Sequence, residues 1–216
     1  MNKAKVIRRG PVKRDTWTVK ALNADGAIGD LTPGMEVFIL TYGQFSLIEA
    51  VQDLVRKTGP AEVVLSTWTA GHSDLSKCAD LLEGEEIRSL RLIVDNSFLN
   101  RQPGYCKRMI ELFGLDCIRT WKGHAKFAAI RNEKWTLAVR TSMNLNTNPR
   151  LENLEISDDP ALCGFLFDVA DDVFREHDPG DFMGWFPELS SVKHKDPPKV
   201  AMGAAVAAPA PRVDGR

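Results

Sequence analysis

TWKGHAKFAAIRNEKWTLAVRTSMNLNTNPRLENLEI, residues 120–156, holds two short apolar runs, Ala125 to Ile130 and Trp135 to Val139, parted by the polar group Arg131, Asn132, Glu133 and Lys134. Runs of this length on either side of a polar, turn-forming group predict a β-hairpin. Side chains two apart on a strand leave the same face of the sheet. His124 and Lys126, at the start of the first run, therefore point one way together, and so do Ser142 and Asn144 at the end of the second. Hairpin strands are antiparallel, so the start of one lies beside the end of the other. The four side chains are expected to converge at one sheet edge, where an imidazole, an ammonium, a hydroxyl and a carboxamide together make a phosphate site.

Outward from the hairpin, the chain alternates strands and helices. Glu36 to Thr41 (EVFILT) is a near-continuous apolar run and is expected as a buried strand, since a strand covered on both faces need not alternate. Ser46 with Glu49 three residues on is a capping-box signature, and Leu47, Ile48, Val51, Leu54 and Val55 then recur at helical spacing until Gly59-Pro60. Val63 to Thr67, Leu90 to Val94 and Cys117 to Thr120 read as further strands, with helices over Ser73 to Leu82 and Gln102 to Phe113 between them. After the hairpin come a strand over Leu151 to Ile156 and a helix capped by Asp158 or Asp159, with Pro160 in its first turn. Strands alternating with helices, followed by a run of adjacent strands, imply an α/β fold: a mixed β-sheet flanked by helices on both faces.

A chain of 216 residues, 44% hydrophobic and with net charge -1, suits one globular domain and requires no second. The expected organisation is a basic N-terminal arm over residues 1–33, the α/β domain over 34–192, and a tail over 193–216. The arm carries Lys3, Lys5, Arg8, Arg9, Lys13, Arg14 and Lys20 against Asp15, an excess able to neutralise phosphates or to stay solvated. Trp17-Thr18-Val19 is its candidate edge strand. The tail is rich in Ala and Pro without a periodic apolar face and is expected to be disordered. Cys78, Cys106, Cys117 and Cys163 are scattered, with no C-x-x-C pair and no clustered histidines, so they read as reduced, mostly buried thiols of a cytoplasmic protein. The N-terminus lacks an apolar signal region, and no apolar run reaches eighteen residues, so neither secretion nor stable membrane association is expected.

At His124-Ala125-Lys126 and Thr141-Ser142-Met143-Asn144, followed by Glu152-Asn153, the chain resembles the phospholipase D superfamily. That family's signature is H-x-K, four residues, D, about six residues, then G-S-x-N. Arg131 stands where the family has Asp, Thr141 stands where it has Gly, and about three more residues precede Ser142. The resemblance implies a phospholipase D-like fold and a metal-independent, cofactor-free phosphodiesterase. His124 would attack phosphorus, Lys126 would supply charge, Ser142 and Asn144 would supply hydrogen bonds, and Glu152 would accept from the far nitrogen of a histidine and fix its tautomer.

The family's chemistry needs two histidines, and this chain has one H-x-K, so the resemblance implies a homodimer in which two copies of His124 meet across a two-fold axis. His72 is the alternative second histidine. A compact single-motif chain with a basic arm is most similar to the nuclease branch, with nucleic acid as partner and DNA favoured over RNA. The alternatives are a catalytically inactive nucleic-acid-binding member and a phospholipase. Trp68 and Trp121 close strands near the site, as stacking platforms or as core rim. Arg140 and Arg150 flank the motif, as phosphate contacts or as paired or solvated side chains.

Overall fold

The structure is a computed structural model and describes residues 20–146, 149–178 and 186. Residues 1–19 of the basic arm, with the Trp17–Val19 segment, and the Ala/Pro-rich tail lie outside those residues. The strands are β1 (Glu36–Thr41), β2 (Ala61–Thr67), β3 (Ile87–Asp95), β4 (Ile118–Trp121), β5 (Phe127–Arg131), β6 (Thr136–Thr141) and β7 (Glu152–Asp158). The helices are α1 (Ala24–Ile28), α2 (Leu47–Thr58), α3 (His72–Glu83), α4 (Phe98–Arg101), α5 (Pro103–Phe113) and α6 (Pro160–Glu176).

All seven strands form one sheet in the order β1-β7-β6-β5-β2-β3-β4. β2, β3 and β4 run parallel, and every other neighbouring pair is antiparallel. The sheet is thus mixed and has helices on both faces, as the alternation of patterns predicts. α2, α3 and α5 bury Leu47, Leu54, Leu75 and Phe113 in one cluster with Val63, Leu65, Leu92, Val139 and Ile156 of the sheet. α6 covers the other face, packing Leu162, Leu166, Phe167 and Ala170 on Val64, Ile93, Ala129 and Ala138. β2 therefore has buried side chains on both faces, which is why its run is apolar without alternation.

Caps set the helix bounds where the sequence places them. Ser46 Oγ accepts from the Glu49 N–H while Glu49 accepts from the Ser46 N–H, a complete capping box. Asp159 caps α6 by accepting from the Leu162 N–H at 2.8 Å, with Pro160 in the first turn. At the hairpin turn, Asn132 Oδ1 accepts the N–H groups of Lys134 and Trp135, each at 3.0 Å, so the carboxamide closes the reversal.

β1 corrects one expectation. Among the described residues it is an edge strand bonded only to β7, and its side chains alternate: Val37 and Ile39 turn to the helix-covered face, whereas Phe38 is 61% and Leu40 is 58% exposed. α6 packs on β2 to β6 and does not extend over β1, so an apolar run that looks doubly covered has one open face. α1 was not anticipated either. Ala24 and Ile28 lie in the core beside α2, which puts residues ahead of position 34 inside the packed body. Phe186 is half-buried against the same cluster. The four cysteines are free and buried, and burial pushes each thiol up to about 12. No helix among the described residues is long and apolar enough to cross a membrane.

Candidate active site

The parallel strands β2, β3 and β4 all end at the edge where β5 begins and β6 ends, because Ser66 pairs with Phe127 and Phe127 with Arg140. β1 ends there as well, with Thr41 opposite Glu152 at the start of β7. The carboxyl ends of parallel strands in an α/β sheet are where such folds place their sites, since the connecting loops converge there. Every motif residue lies in these loops or at a strand's first residue.

His124 sits in the short extended segment between β4 and β5. The expected strand start at Ala125 moves to Phe127, so His124 and Lys126 stand just ahead of the ladder, although Thr141 N still donates to Lys126 O at 3.3 Å. The segment is tied down before it reaches the histidine. Gly123 packs against the Trp121 indole so closely that a Cβ there would stand 2.2 Å from Nε1 and 2.4 Å from Cε2. The Gly123 N–H donates to Asp95 Oδ2 at 3.2 Å. Asp95 Oδ1 in turn accepts the N–H of Ser97 at 3.0 Å and its hydroxyl. Burial pushes the Asp95 carboxyl up, but these donors and the nearby Arg101 charge outweigh it and hold its pKa below the ordinary value.

His124 is exposed, and its ring is tilted against the Trp68 indole at a centroid distance of 5.3 Å. Lys126 Nζ stands 3.2 Å from His124 Nδ1 and donates to the His124 carbonyl at 3.2 Å. Burial lowers the pKa of this ammonium below the usual 10.5, against the charge of Glu152, which works to raise it. Ser142 donates its hydroxyl proton to Glu152 Oε2 and accepts the Asn153 N–H at 3.0 Å. Asn144 Oδ1 accepts the Trp68 N–H at 3.2 Å and faces the Thr67 hydroxyl at 3.4 Å. Because those groups take the oxygen, the carboxamide's N–H pair is the part left to donate into the site.

The five motif residues are thus joined: His124 to Lys126 directly, Lys126 to Glu152 through charge, Glu152 to Ser142, and Asn144 to His124 through Trp68. Glu152 takes its hydrogen bond from Ser142, and the side-chain group at His124 Nδ1 is Lys126. Thr141, in place of the family's glycine, uses its hydroxyl as a splint, donating to Asn153 O at 2.6 Å and accepting from the Met143 N–H at 2.9 Å. Arg131, in place of the family's aspartate, lies at the far end of β5, paired to Glu62 at 2.7 Å and stacked on Phe167 at 3.8 Å.

Other candidates fall elsewhere. The exposed His72 ring packs edge-on against Tyr105 at 4.7 Å. Arg140 is paired with Glu155 at 2.6 Å, which accounts for it without a phosphate. Trp121 is a packing surface for Gly123, whereas Trp68 is at the site. Arg150 is exposed, and His194 lies outside the described residues. Asp95, Gly123 and Arg101 were not found by sequence reasoning, because their roles rest on proximity across strand ends. The one available sign was Gly123 immediately before the histidine. Among the described residues no group of three or more His, Cys, Asp or Glu side chains stands where it could hold a metal ion.

No family model matches this sequence, and no curated relative does. Solved structures similar to it include NucT from Helicobacter pylori, at 14% identity over 66% of this chain and 98% of that one with a TM-score of 0.47. Nuc from Salmonella typhimurium, a phospholipase D family member, is similar at 11% identity over 67% of this chain and 97% of its own, TM-score 0.46. Phosphatidylserine synthase from Haemophilus influenzae Rd KW20 is similar at 17% identity over 66% of this chain and 38% of its own, TM-score 0.44. The functional reading rests on this chain's own side chains.

Proposed function

We propose that this protein is a metal-independent phosphodiesterase of the phospholipase D type, a nuclease that hydrolyses DNA through a phosphohistidine at His124 in a site shared by two copies of the chain. The observation that carries the reading is the pairing of Lys126 Nζ with His124 Nδ1 at 3.2 Å on an exposed loop, beside the Ser142–Glu152 and Asn144–Trp68 bonds. A nucleophile, a cation and the N–H pair of Asn144 stand at one edge, with the Ser142 hydroxyl bonded to Glu152 beside them, which is the equipment for displacement at phosphorus.

The tautomer sets the order of events. With the ammonium donating to Nδ1, the ring proton is on Nε2, and that nitrogen has no lone pair to offer phosphorus. Attack needs the opposite form, with a free Nε2 lone pair. Lys126 must therefore swing from Nδ1 to the phosphoryl oxygens as substrate arrives, leaving Nδ1 to take the proton. Nε2 then bonds to phosphorus as the P–O bond breaks, and the leaving oxygen takes its proton from the partner copy's imidazolium, which becomes the neutral imidazole. That imidazole next removes a proton from water, which displaces His124 from phosphorus. Dividing one displacement into two, with general acid assistance on the order of 10²- to 10⁴-fold, is the gain. One motif histidine per chain makes a homodimer the simplest source of both roles. Exposed Lys122 and Arg150, close in sequence to the motif residues, suit a polyanion, and DNA is favoured over RNA.

The test is cleavage of labelled DNA in excess chelator by the parent, His124→Ala and Lys126→Ala, with sedimentation of each. Chelator-resistant cutting by a dimer, lost in both variants, is expected; an active monomer overturns the shared site. A second reading, a non-catalytic nucleic-acid-binding protein, is favoured by Glu152 being given to Ser142 while an ammonium faces His124 Nδ1. It predicts salt-sensitive DNA binding without cutting. Release of lipid headgroups in place of nucleotides would make the protein a phospholipase.

A further inference from the structure

The His124 ring is one wall of a three-tier stack whose other members the motif does not include. Trp68, the residue after β2, is half-buried, with its indole against His124 at 5.3 Å and the Arg101 guanidinium over it, Cζ 3.7 Å from the ring centroid. Arg101 is exposed yet held: Nη2 donates to the Trp68 carbonyl at 2.9 Å and Nε to Ser97 Oγ at 3.0 Å. Ser97 is fixed by Asp95, the same carboxylate that anchors the His124 loop through Gly123. The Trp68 main chain is fixed by the motif carboxamide of Asn144. Nucleophile, indole and guanidinium are therefore positioned by one set of bonds.

No carboxylate among the described residues forms an ion pair with Arg101, whereas Arg88, Arg91, Arg108, Arg131, Arg140 and Arg175 each have one. Arg119 and Arg150 share that lack among the described residues, but unlike them Arg101 is both exposed and tied to the scaffold. Two of its nitrogens are committed to the scaffold, so the remaining N–H groups present a fixed fork to an arriving oxyanion. The indole beneath is already flanked by Arg101 and His124, so its exposed edge is the part a nucleoside can lie against.

We propose that Arg101 and Trp68 form a second subsite, in which Arg101 binds a phosphate neighbouring the one attacked by His124 and Trp68 borders the intervening nucleoside. This rests on the phosphodiesterase reading and sharpens it: a ligand that fills both subsites carries more than one phosphate along a chain, which a nucleic acid does and a simple phosphodiester does not. Arg101 is thus a specificity-determining residue for polynucleotide over small diester.

The experiment compares the parent with Arg101→Ala and Arg101→Lys on two probes, a fluorescein-labelled DNA oligonucleotide and bis(p-nitrophenyl) phosphate, which has no neighbouring phosphate. Arg101→Ala is expected to raise KM for the oligonucleotide about tenfold and to reduce the slope of log affinity against log salt by about one. Its kcat/KM for the small diester falls by a smaller factor than that for the oligonucleotide, because that probe has no neighbouring phosphate to lose. Arg101→Lys restores the salt slope without the tight KM, because the ammonium cannot keep the fork. Equal losses on both probes would mean that Arg101 only braces the His124 loop and would overturn the proposal, as would an unchanged salt slope. A parent that cleaves neither probe defeats the phosphodiesterase reading instead, and the oligonucleotide salt slope still decides the subsite.

Discussion

The two ends of the sheet make opposite use of polar side chains. At the end that holds the β5–β6 turn, Arg131 bonds Glu62 at 2.7 and 3.0 Å, and Asn132 takes two backbone N–H groups while donating to Thr58 O at 3.1 Å. Asp158 there accepts from the Gly34 N–H at 2.9 Å. These three side chains are each matched by protein partners, although Ser157 Oγ and Glu86 Oε2 at the same end have no hydrogen bond among the described residues. At the other end the same density of polar groups is only half matched. His124 and Arg101 are exposed, Lys126 rests on a ring nitrogen, and Asn144 spends its oxygen on Trp68 while its N–H pair is left over. Donors held in place without an acceptor mark a surface prepared for an anion.

That contrast orders the expected effects of substitution. His124→Ala should lower kcat for DNA cleavage on the order of 10⁴-fold or more, with the melting temperature unchanged, as measured by initial rates and thermal unfolding. A comparable loss of melting temperature would mean that the site end is structural after all. Lys126 provides a pH signature. The ammonium is the working form and its pKa is lowered below 10.5, so activity should fall as pH rises through that lowered value, earlier than for an ordinary lysine. Over the same interval the folded state binds fewer protons than the unfolded one, so this group's contribution to stability rises with pH. Loss of activity through this group is therefore not a consequence of its effect on stability, and Lys126→Arg should move the limb to higher pH.

Gly123→Ala should affect both activity and stability, since a Cβ 2.2 Å from the Trp121 indole displaces the loop that carries His124. Overpacking of this kind costs about 1 to 3 kcal/mol, and a tenfold or larger fall in kcat should accompany it. Asn132→Ala, at the turn end, removes the acceptor of the exposed Lys134 N–H and the part-buried Trp135 N–H and should cost about 1 kcal/mol in denaturant unfolding while leaving kcat per folded molecule intact. Arg131→Ala should matter least. Its ion pair is about a third exposed on each side, at 33% and 35%, so about 1 kcal/mol or less is expected from it, with a small addition from Phe167, read by the same unfolding.

What was legible in the sequence follows from how local each signal is. Strand and helix order, the Ser46–Glu49 capping box, the Asp159–Pro160 start of α6 and the hairpin around Asn132 depend on neighbours within a few residues, and the structure has each of them. The convergence of His124, Lys126, Ser142 and Asn144 was legible because antiparallel pairing makes it geometric, whereas Glu152 entered only through the resemblance. β1 was misread because an apolar run cannot say which faces other elements reach, and α6 ends its cover short of Phe38 and Leu40. Arg101 was invisible for a related reason: nothing within α4 marks it, and its meaning comes from Trp68, more than thirty residues earlier. The Ser142–Glu152 bond likewise depends on the depth of a loop, which spacing does not encode.

The central claim is a covalent bond between His124 and phosphorus. The most direct measurement is acid-free quenching of a single turnover with phosphorus-labelled DNA, followed by peptide mapping of any label on the protein. The expected result is a label stable to alkali and lost in acid, on the peptide containing His124, absent from His124→Ala. Cleavage at the parent rate with no label on that peptide, or a label that survives His124→Ala, would contradict it.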